Sequence, residues 1–370
     1  MTHTPIAPSH VEELRPYVPD EPLEELRRRL GLDDILKLSS NESLLGPSPK
    51  AVEAIQRVAG DVFYYPDGAG AGAMRRAIAD FHDVAPEKVL TANGSNEAIT
   101  LLVRTFCEPG VHNAMTFDFG FIIYALVCRS HNVEVRTLPM GPDYEFRLDA
   151  MADAVDESTK LVFLANPNNP TGTWVGGGEL RDFLEALPEH VIAVVDEAYV
   201  DYVQAGDYES ALNMTDAHEQ LVVLRSFSKA YGMAGLRAGY AIGPSALVDR
   251  LYRMREPFTC NMPAQAAVPA ALADREWLAR AVAVNEEGRE VLEAGLGELV
   301  EFGVSWTESQ TNFLLVEMPC DAREVAQAML QRGVLVRPMA GYGLERSVRI
   351  ALARAEEMER CVEALRVGVM

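Results

Sequence analysis

The amino-acid sequence predicts an α/β protein. Its larger part is expected to be a mostly parallel β-sheet covered by helices on both faces, followed by a smaller α/β lobe. Two observations support this fold class. Short apolar runs rich in β-branched residues alternate with amphipathic helical segments, which is typical of βαβ units. From about residue 259 this alternation gives way to a long helical region and three further apolar runs.

The elements of the larger part follow in a regular order. After an N-terminal arm, SPKAVEAIQRVAG has the apolar spacing of a helix. Strand and helix candidates then alternate, and two last strands close the series. In chain order they are KVLTA, SNEAITLLVRTFC, HNAMTF, FIIYALVCRS, KLVFLA, GELRDFLEALP, VIAVVDEAY, LVVLRSF and AGYAIG.

The smaller lobe begins with the helical region AQAAVPAALADREWLARAVAVNEEGREVLEAGLGEL. Three strand candidates, NFLLVEM, GVLVRP and SVRIAL, follow it and precede a final helix. We predict an N-terminal arm over residues 1–46, a large domain over 47–258 and a small C-terminal domain over 259–370. The arm is expected to join the small domain and a dimer interface.

Composition excludes several classes of partner. The formal net charge of -22 over 370 residues disfavours nucleic acid and anionic membrane surfaces. No apolar run reaches the roughly 20 residues that span a bilayer, and the N-terminus has no signal-peptide pattern. The five scattered cysteines form no C-x-x-C pair, and the seven histidines have no metal-site spacing. We therefore expect a cytoplasmic protein with no membrane segment and no bound metal.

One lysine has unusual neighbours. The chain has only five lysines, and Lys229 lies in RSFSKAYGMAGLRAGYAIG, after an apolar strand and between serines and glycines. A lysine amine can form a Schiff base with an aldehyde. The alternative is an ordinary solvated loop lysine.

Three further motifs also follow strands, where ligands bind in an open α/β sheet. Asp196 ends VIAVVD, Asn169 lies in ANPNNPTG, and ANGSNEAI opens a helix. Helix-start amides can bind a phosphate. Viewed alone, each motif has a structural alternative: a helix cap for Asp196, a rigid turn for the prolines, and a capping box for the helix start.

Together these motifs match the groups of pyridoxal phosphate, which carries an aldehyde, a phosphate and a pyridine nitrogen. Lys229 would bond to the aldehyde, and Asp196 would keep the ring nitrogen protonated so that the ring draws electrons from the substrate Cα. Asn169 and Tyr199 would hydrogen-bond the ring hydroxyl, and Phe121 would cover a ring face unless it is a plain core aromatic. The expected phosphate ligands are Gly94, Ser95, Asn96, Ser226, Ser228 and Arg237.

NPNNPTG, VVDEAY and SFSKAYGMAGLRAGY resemble, in this order and spacing, the fold-type I aminotransferases that use pyridoxal phosphate. LRPYVPDEPLEELRRRLGLDDILKLSSNESLLGPSPKAVEAI, YYPDGAGAGAMRRAIADF and GVLVRPMAGYGLERSVRIAL are similar to the histidinol-phosphate aminotransferase branch. The resemblance implies a seven-stranded sheet. It also implies a homodimer with shared active sites, in which Tyr17 contributes to substrate binding in the neighbouring subunit and Tyr65 reaches the cofactor phosphate of that subunit.

For the substrates, the resemblance implies that Arg349 binds the anion of the amino donor and of 2-oxoglutarate, with Asn41 and Asn169 nearby. Arg337 matches a second arginine, and two guanidinium groups suit a phosphate dianion better than a carboxylate. The alternatives are an ordinary salt bridge for Arg337 and a packed interface aromatic for Tyr17. The expected reaction is transamination of histidinol phosphate with 2-oxoglutarate in histidine biosynthesis.

Departures from the branch keep other functions open. Ser43 and Leu44 replace the usual Asn-Pro before GPSP, Phe119 and Gly120 replace Pro-Ser, and ARAEEM follows Arg349. An apolar SLL segment could suit aromatic amino acids, so an aromatic aminotransferase is the main alternative. Less expected are a pyridoxal-phosphate decarboxylase or racemase, and a non-catalytic binding protein on the same scaffold.

Overall fold

The computed structural model describes residues 7–16, 18–68 and 72–369. Its strands are β1 (Leu36–Lys37), β2 (Val89–Ala92), β3 (Asn113–Phe117), β4 (Glu134–Leu138), β5 (Thr159–Ala165), β6 (Ile192–Asp196), β7 (Leu221–Ser226), β8 (Gly239–Ile242), β9 (Ser305–Trp306), β10 (Phe313–Glu317), β11 (Val334–Leu335), β12 (Arg337–Met339) and β13 (Leu344–Ala351).

The α-helices are α1 (Ser9–Glu12), α2 (Leu23–Leu30), α3 (Pro49–Val58), α4 (Gly72–His82), α5 (Ser95–Phe106), α6 (Ile122–Ser130), α7 (Leu148–Asp153), α8 (Gly177–Ala186), α9 (Ser245–Met254), α10 (Met262–Leu272), α11 (Arg275–Gly297), α12 (Ala322–Leu330) and α13 (Ala355–Val369). In the part of the chain that the structure describes, no helix is both long and apolar enough to cross a membrane.

The main sheet has seven strands in the order β2-β8-β7-β6-β5-β3-β4. Strand β8 runs antiparallel to β2 and β7, and the other neighbours pair in parallel. The predicted mostly parallel, seven-stranded sheet is therefore confirmed. The edge strand β4 is absent from the strand candidates, because EVRTL has charged and polar residues and is only partly buried.

The middle strands of this sheet are buried on both faces. Along β5, Leu161 and Phe163 belong to the core cluster that holds α5 and α6, while Val162 and Leu164 belong to the cluster that holds α7 and α8. Side chains alternate between the two faces of a strand, so a nearly continuous apolar run satisfies both cores. This double coverage leaves the carboxyl ends of the strands as the exposed edge.

A second sheet, ordered β12-β13-β10-β9, is antiparallel and packs with α11, α12 and α13. Strand β1, in the predicted N-terminal arm, pairs in parallel with β11, and Leu38 lies in the same core cluster. The predicted long helical region consists of two helices, α10 and α11, which meet at Asp274. The domain boundaries at residues 46 and 258 stay predictions.

Candidate active site

A cavity of about 1080 Å³ lies beyond the carboxyl ends of the parallel strands. Ala165, Asp196 and Ser226, the last residues of β5, β6 and β7, lie on its wall. Residues of β12 and β13 in the second sheet also line it. Because open α/β sheets bind ligands at this edge, the cavity is the candidate active site.

Most residues predicted for the site line this cavity. They are Asn41, Ser95, Asn96, Phe121, Asn169, Asp196, Tyr199, Ser226, Ser228, Lys229, Arg237, Arg337 and Arg349. Of the described residues predicted for the site, Gly94 and Tyr65 lie off the cavity wall. Tyr17 lies outside the described residues.

Lys229 is held in the turn that follows β7. Its Nζ donates hydrogen bonds to the backbone oxygens of Ser40, at 3.3 Å, and Asn41, at 3.2 Å. The turn packs tightly against the arm, because a Cβ on Gly232 would lie 2.3 Å from the backbone oxygen of Gly46. Only glycine fits this contact, and its φ of +66° also favours glycine.

The surroundings of Lys229 favour a neutral amine. Burial lowers its pKa from 10.5 to about 7, and the positive charges of Arg349 and Arg237 act in the same direction. The carboxylates of Glu42 and Asp196 oppose this effect in part. An amine with this pKa can accept and release a proton near neutral pH.

Asp196 is fixed at the end of β6 by two donors. The hydroxyl of Tyr124 donates to its Oδ2 at 3.0 Å, and the backbone N–H of Ala198 donates to its Oδ1 at 3.2 Å. Burial raises the pKa of Asp196 from 3.8 to about 6, although these hydrogen bonds lower it. The carboxylate therefore lies in a buried site, where a cationic partner would stabilise its charge.

Hydrogen bonds connect the arm to Tyr199, which follows β6, and to Arg349, which lies on β13. Nδ2 of Asn41 donates to the hydroxyl of Tyr199 at 3.1 Å. Arg349 Nη1 donates to Oδ1 of Asn169 at 2.6 Å, and its Nη2 donates to the backbone oxygen of Ser39 at 2.8 Å. These contacts orient the guanidinium of Arg349 in the cavity wall, where the side chain is almost fully buried.

A cationic cradle forms where α5 begins. Gly94 caps this helix with a φ of +77°, and a Cβ there would lie 2.6 Å from Nη2 of Arg237. Arg237 Nη1 donates to the hydroxyl of Ser228 at 3.3 Å. The first backbone N–H groups of a helix lack intrahelical acceptors, so those of Ser95 and Asn96 suit an anion. Gly94 thus lies behind the cavity wall and leaves the space that the guanidinium of Arg237 occupies.

An amine, a buried carboxylate and a cationic helix start therefore meet in one cavity. Phe121 also lines it and packs edge-on against Tyr124, with ring centroids 5.6 Å apart. The set could hold a molecule that carries an aldehyde, a cationic nitrogen, an aromatic ring and a phosphate. Pyridoxal phosphate has all four features, so the residues fit this cofactor.

Sequence reasoning missed several residues of the cavity. Tyr124 is predicted only as part of a helix, although a tyrosine within an otherwise apolar helix facing a strand end is a signal for a hydrogen bond. Asp20 in the arm forms an ion pair with Arg337, with 2.6 Å between Oδ1 and Nη1. Glu42 also lines the wall and pairs with Lys37.

The departures from the resembled branch lie off the cavity wall. Leu44 packs against the core cluster of the second sheet, and Ser43 lines a separate small cavity with it. Gly120 packs closely against Thr116, since a Cβ there would lie 2.5 Å from its Oγ1. These residues therefore add no apolar surface to the candidate active site.

Residues 33–365 match the family model described as aminotransferase class I and II. The chain belongs to this aminotransferase family. The fold class, with its helix-covered parallel sheet, agrees with this assignment.

Sequence similarity to individual relatives covers nearly the whole of this aminotransferase chain. Histidinol-phosphate aminotransferase 2 of Pseudomonas fluorescens Pf0-1 is 42% identical over 98% of this chain and 96% of its own. Histidinol-phosphate aminotransferase of Anaeromyxobacter sp. Fw109-5 is 43% identical over 98% of both chains. The crystal structure of histidinol-phosphate aminotransferase from Sinorhizobium meliloti in complex with pyridoxal-5'-phosphate has a TM-score of 0.88 and 28% identity, and covers 98% of this chain and 96% of its own.

Proposed function

We propose that this aminotransferase uses pyridoxal phosphate to move the amino group of L-histidinol phosphate to 2-oxoglutarate. The observation that carries the proposal is one cavity lined by Lys229, Asp196 and two adjacent arginines, Arg337 and Arg349. The relatives named as histidinol-phosphate aminotransferases support the same substrate.

The chain offers a separate group for each part of the cofactor. Lys229 would bind the aldehyde carbon, and Asp196 would pair with the ring nitrogen. Asn169 and Tyr199 would hydrogen-bond the ring hydroxyl, and Phe121 would lie against the ring. The phosphate would be held by the helix start at Ser95 and Asn96 and by Ser226, Ser228 and Arg237. When bound, the cofactor supplies an electron sink for the negative charge that develops at the substrate Cα.

Lys229 would then move the proton. Its Nζ lies in a buried site that lowers its pKa to about 7, so the amine can take up the proton that leaves the substrate Cα and later return it. The backbone oxygens of Ser40 and Asn41 keep Nζ oriented in the cavity. The arm residues that carry these oxygens also form part of the cavity wall.

The two arginines suit an anion that must alternate between phosphate and carboxylate. Arg349 and Arg337 are directly opposite each other in the antiparallel pair β12–β13, so their side chains share one face of the sheet. A guanidinium can bind either anion with two parallel hydrogen bonds. A phosphate dianion has enough charge and oxygen atoms to engage both arginines.

Comparison of specificity constants for histidinol phosphate and phenylalanine tests the substrate. We expect histidinol phosphate to be strongly preferred. Arg337→Ala should lower kcat/KM for histidinol phosphate by about 10–100-fold, since it removes charge-assisted hydrogen bonds, and should affect phenylalanine much less. Arg346→Ala is the matched control, because Arg346 lies on β13 but pairs with Glu317 at the surface. A preference for phenylalanine, or equal losses for both donors, would contradict the proposal.

We also propose a homodimer with shared active sites. Tyr65 is 81% exposed and stacks on Phe258, with ring centroids 4.8 Å apart. It belongs to a row of exposed apolar residues, Val62, Phe63, Tyr64 and Tyr65. A monomer rarely leaves so many neighbouring aromatics in water, and a second copy of this chain would cover them.

Subunit mixing tests this arrangement. Tyr65→Phe removes one hydroxyl that would bind the phosphate in the neighbouring subunit, and should weaken cofactor binding by about 10–100-fold. At a limiting cofactor concentration, mixing this variant with Lys229→Ala subunits should restore activity, because each hybrid dimer contains one site with an intact Lys229 and an intact Tyr65. A hybrid with no more activity than its parents would show that the sites are not shared.

A cytoplasmic location completes the proposal. The five cysteines are unpaired, and four of them are buried. Free buried thiols suit a reducing compartment. Quantitative thiol labelling of the unsubstituted protein, denatured without prior reduction, should therefore detect five reactive thiols.

A further inference from the structure

Arg337 and Arg349 form a pair of like charges within the cavity. They are register partners across β12 and β13. Like charges directly opposite each other in a sheet repel, so a pair in this position needs an anion. Arg349 is held by Asn169 and by the backbone oxygen of Ser39. The anion against Arg337 comes from the arm.

That anion is the carboxylate of Asp20. Oδ1 accepts a hydrogen bond from Arg337 Nη1 at 2.6 Å. Oδ2 accepts from the hydroxyls of Ser39, at 2.6 Å, and Ser40, at 3.3 Å. A guanidinium and two hydroxyls therefore surround the carboxylate, and all these residues line the cavity.

Asp20 is ionised at neutral pH. Burial raises its pKa, but the hydrogen bond from Ser39 and the charge of Arg337 outweigh this effect and hold the pKa below 3.8. The carboxylate is also partly accessible, since 18% of the Asp20 side chain and 24% of the Arg337 side chain remain exposed. A soluble anion can therefore compete with it for Arg337.

We infer that the Asp20 carboxylate occupies the subsite for the substrate phosphate and is displaced by that phosphate, which makes Asp20 a determinant of anion specificity. This inference rests on the proposed function. A phosphate dianion carries more charge than the carboxylate of Asp20 and can accept hydrogen bonds from Arg337, Ser39 and Ser40 together. The contacts of the phosphate must therefore outweigh the ion pair between Asp20 and Arg337 that they replace, and Asp20 is released to solvent.

A substrate carboxylate has no comparable advantage over Asp20. It carries one negative charge, as Asp20 does, and Arg349 is already oriented to receive it. The α-carboxylate of glutamate or 2-oxoglutarate therefore binds Arg349 while Asp20 stays on Arg337. In this way one cavity accepts a phosphate and a carboxylate in turn, and the second arginine does not bind the smaller anion too tightly.

Asp20→Asn in the holoenzyme tests the inference, with Asp20→Ala as a second variant and melting temperature as the check on folding. Inorganic phosphate is the probe, measured as an inhibitor of the half-reaction with glutamate. Loss of the competing charge should lower both the inhibition constant for phosphate and the KM for histidinol phosphate by about fivefold, the scale of a partly exposed ion pair. For the keto acid, 2-oxoglutarate, the Michaelis constant should change by less than about twofold.

Glu24→Gln is the matched control. It removes the same charge from the arm, where Glu24 is exposed and pairs with Arg27, and both residues lie off the cavity wall. The inference is overturned if phosphate binds no better to the Asp20 variants, which would make Asp20 a residue that only positions Arg337. It is also overturned if Glu24→Gln has the same effect, or if 2-oxoglutarate gains as much as phosphate. Phosphate inhibition is measured with glutamate as the amino donor. Its outcome therefore does not depend on whether histidinol phosphate is the substrate.

Discussion

Replacement of Lys229 by alanine is expected to lower the rate of transamination by about four orders of magnitude, the upper range for loss of a positioned proton-transfer group. No second amine lines the cavity among the described residues, so nothing nearby can replace Nζ. Borohydride reduction followed by peptide mass spectrometry should find the cofactor on Lys229 in the native protein and on no peptide of the variant.

Folding should not explain this loss. The pKa of Lys229 is lowered, so the folded protein favours the neutral amine. The contribution of Lys229 to folding stability is therefore greatest above pH 10.5 and is lost as the pH falls towards 7. Removing the amine should therefore leave the cofactor-free protein at least as stable at neutral pH. Lys160→Ala is the control, because Lys160 lies at the opposite end of β5 and donates to the backbone oxygen of His190. Substantial activity in Lys229→Ala would contradict the assignment.

The sequence predicts the fold well where periodicity is strong. The runs KLVFLA and LVVLRSF are apolar throughout because β5 and β7 are covered on both faces, and both are strands in the structure. The edge strand β4 lacks this signal because one side of an edge strand meets solvent. The break between α10 and α11 is also missing from the sequence prediction, since the apolar pattern continues through it.

The same reasoning applies to the cavity. Asp196 ends a strand, and Lys229 and Asn169 lie in short motifs that follow strands, so their meeting at one sheet edge follows from the topology alone. Asp20 and Arg337 are 317 positions apart, and Tyr124 and Asp196 are 72 apart. Contacts of this kind depend on how separate elements pack, which local patterns do not record. The ion pair between Glu197 and Arg225, directly behind Asp196, was missed for the same reason.

Asp196→Asn is expected to change activity and stability in opposite directions. Loss of the buried carboxylate would leave a cationic ring nitrogen without its partner, which typically costs about 3–5 kcal/mol, so kcat should fall by about two to four orders of magnitude. Asparagine keeps the size of the side chain. Its amide oxygen can accept from the backbone N–H of Ala198, and its amide nitrogen can donate to the hydroxyl oxygen of Tyr124. The loss should therefore come from charge, and the absorbance of the bound cofactor should change with it.

In the cofactor-free protein the same variant should be more stable than the native chain at pH 7.5. Burial raises the pKa of Asp196 from 3.8 to about 6, so ionisation of this group opposes folding increasingly as the pH rises from 3.8, and fully above 6. With roughly 1.4 kcal/mol per pKa unit, the gain is about 2–3 kcal/mol. It should shrink as the pH falls from 6 towards 3.8, because the native carboxyl is then protonated. Melting temperatures of both proteins at pH 7.5 and 4.5 measure this difference.

Asp156→Asn gives the control of opposite sign. Hydrogen bonds from Ser158 lower the pKa of Asp156 to about 2, so its ionised form stabilises the folded protein above pH 3.8. Its replacement should lower the melting temperature at pH 7.5 and leave the activity intact, since Asp156 lies on the surface away from the cavity. If Asp196→Asn lowered the stability as Asp156→Asn does, its carboxylate would already have a cationic partner within the chain, and the cofactor nitrogen would not be needed to balance its charge.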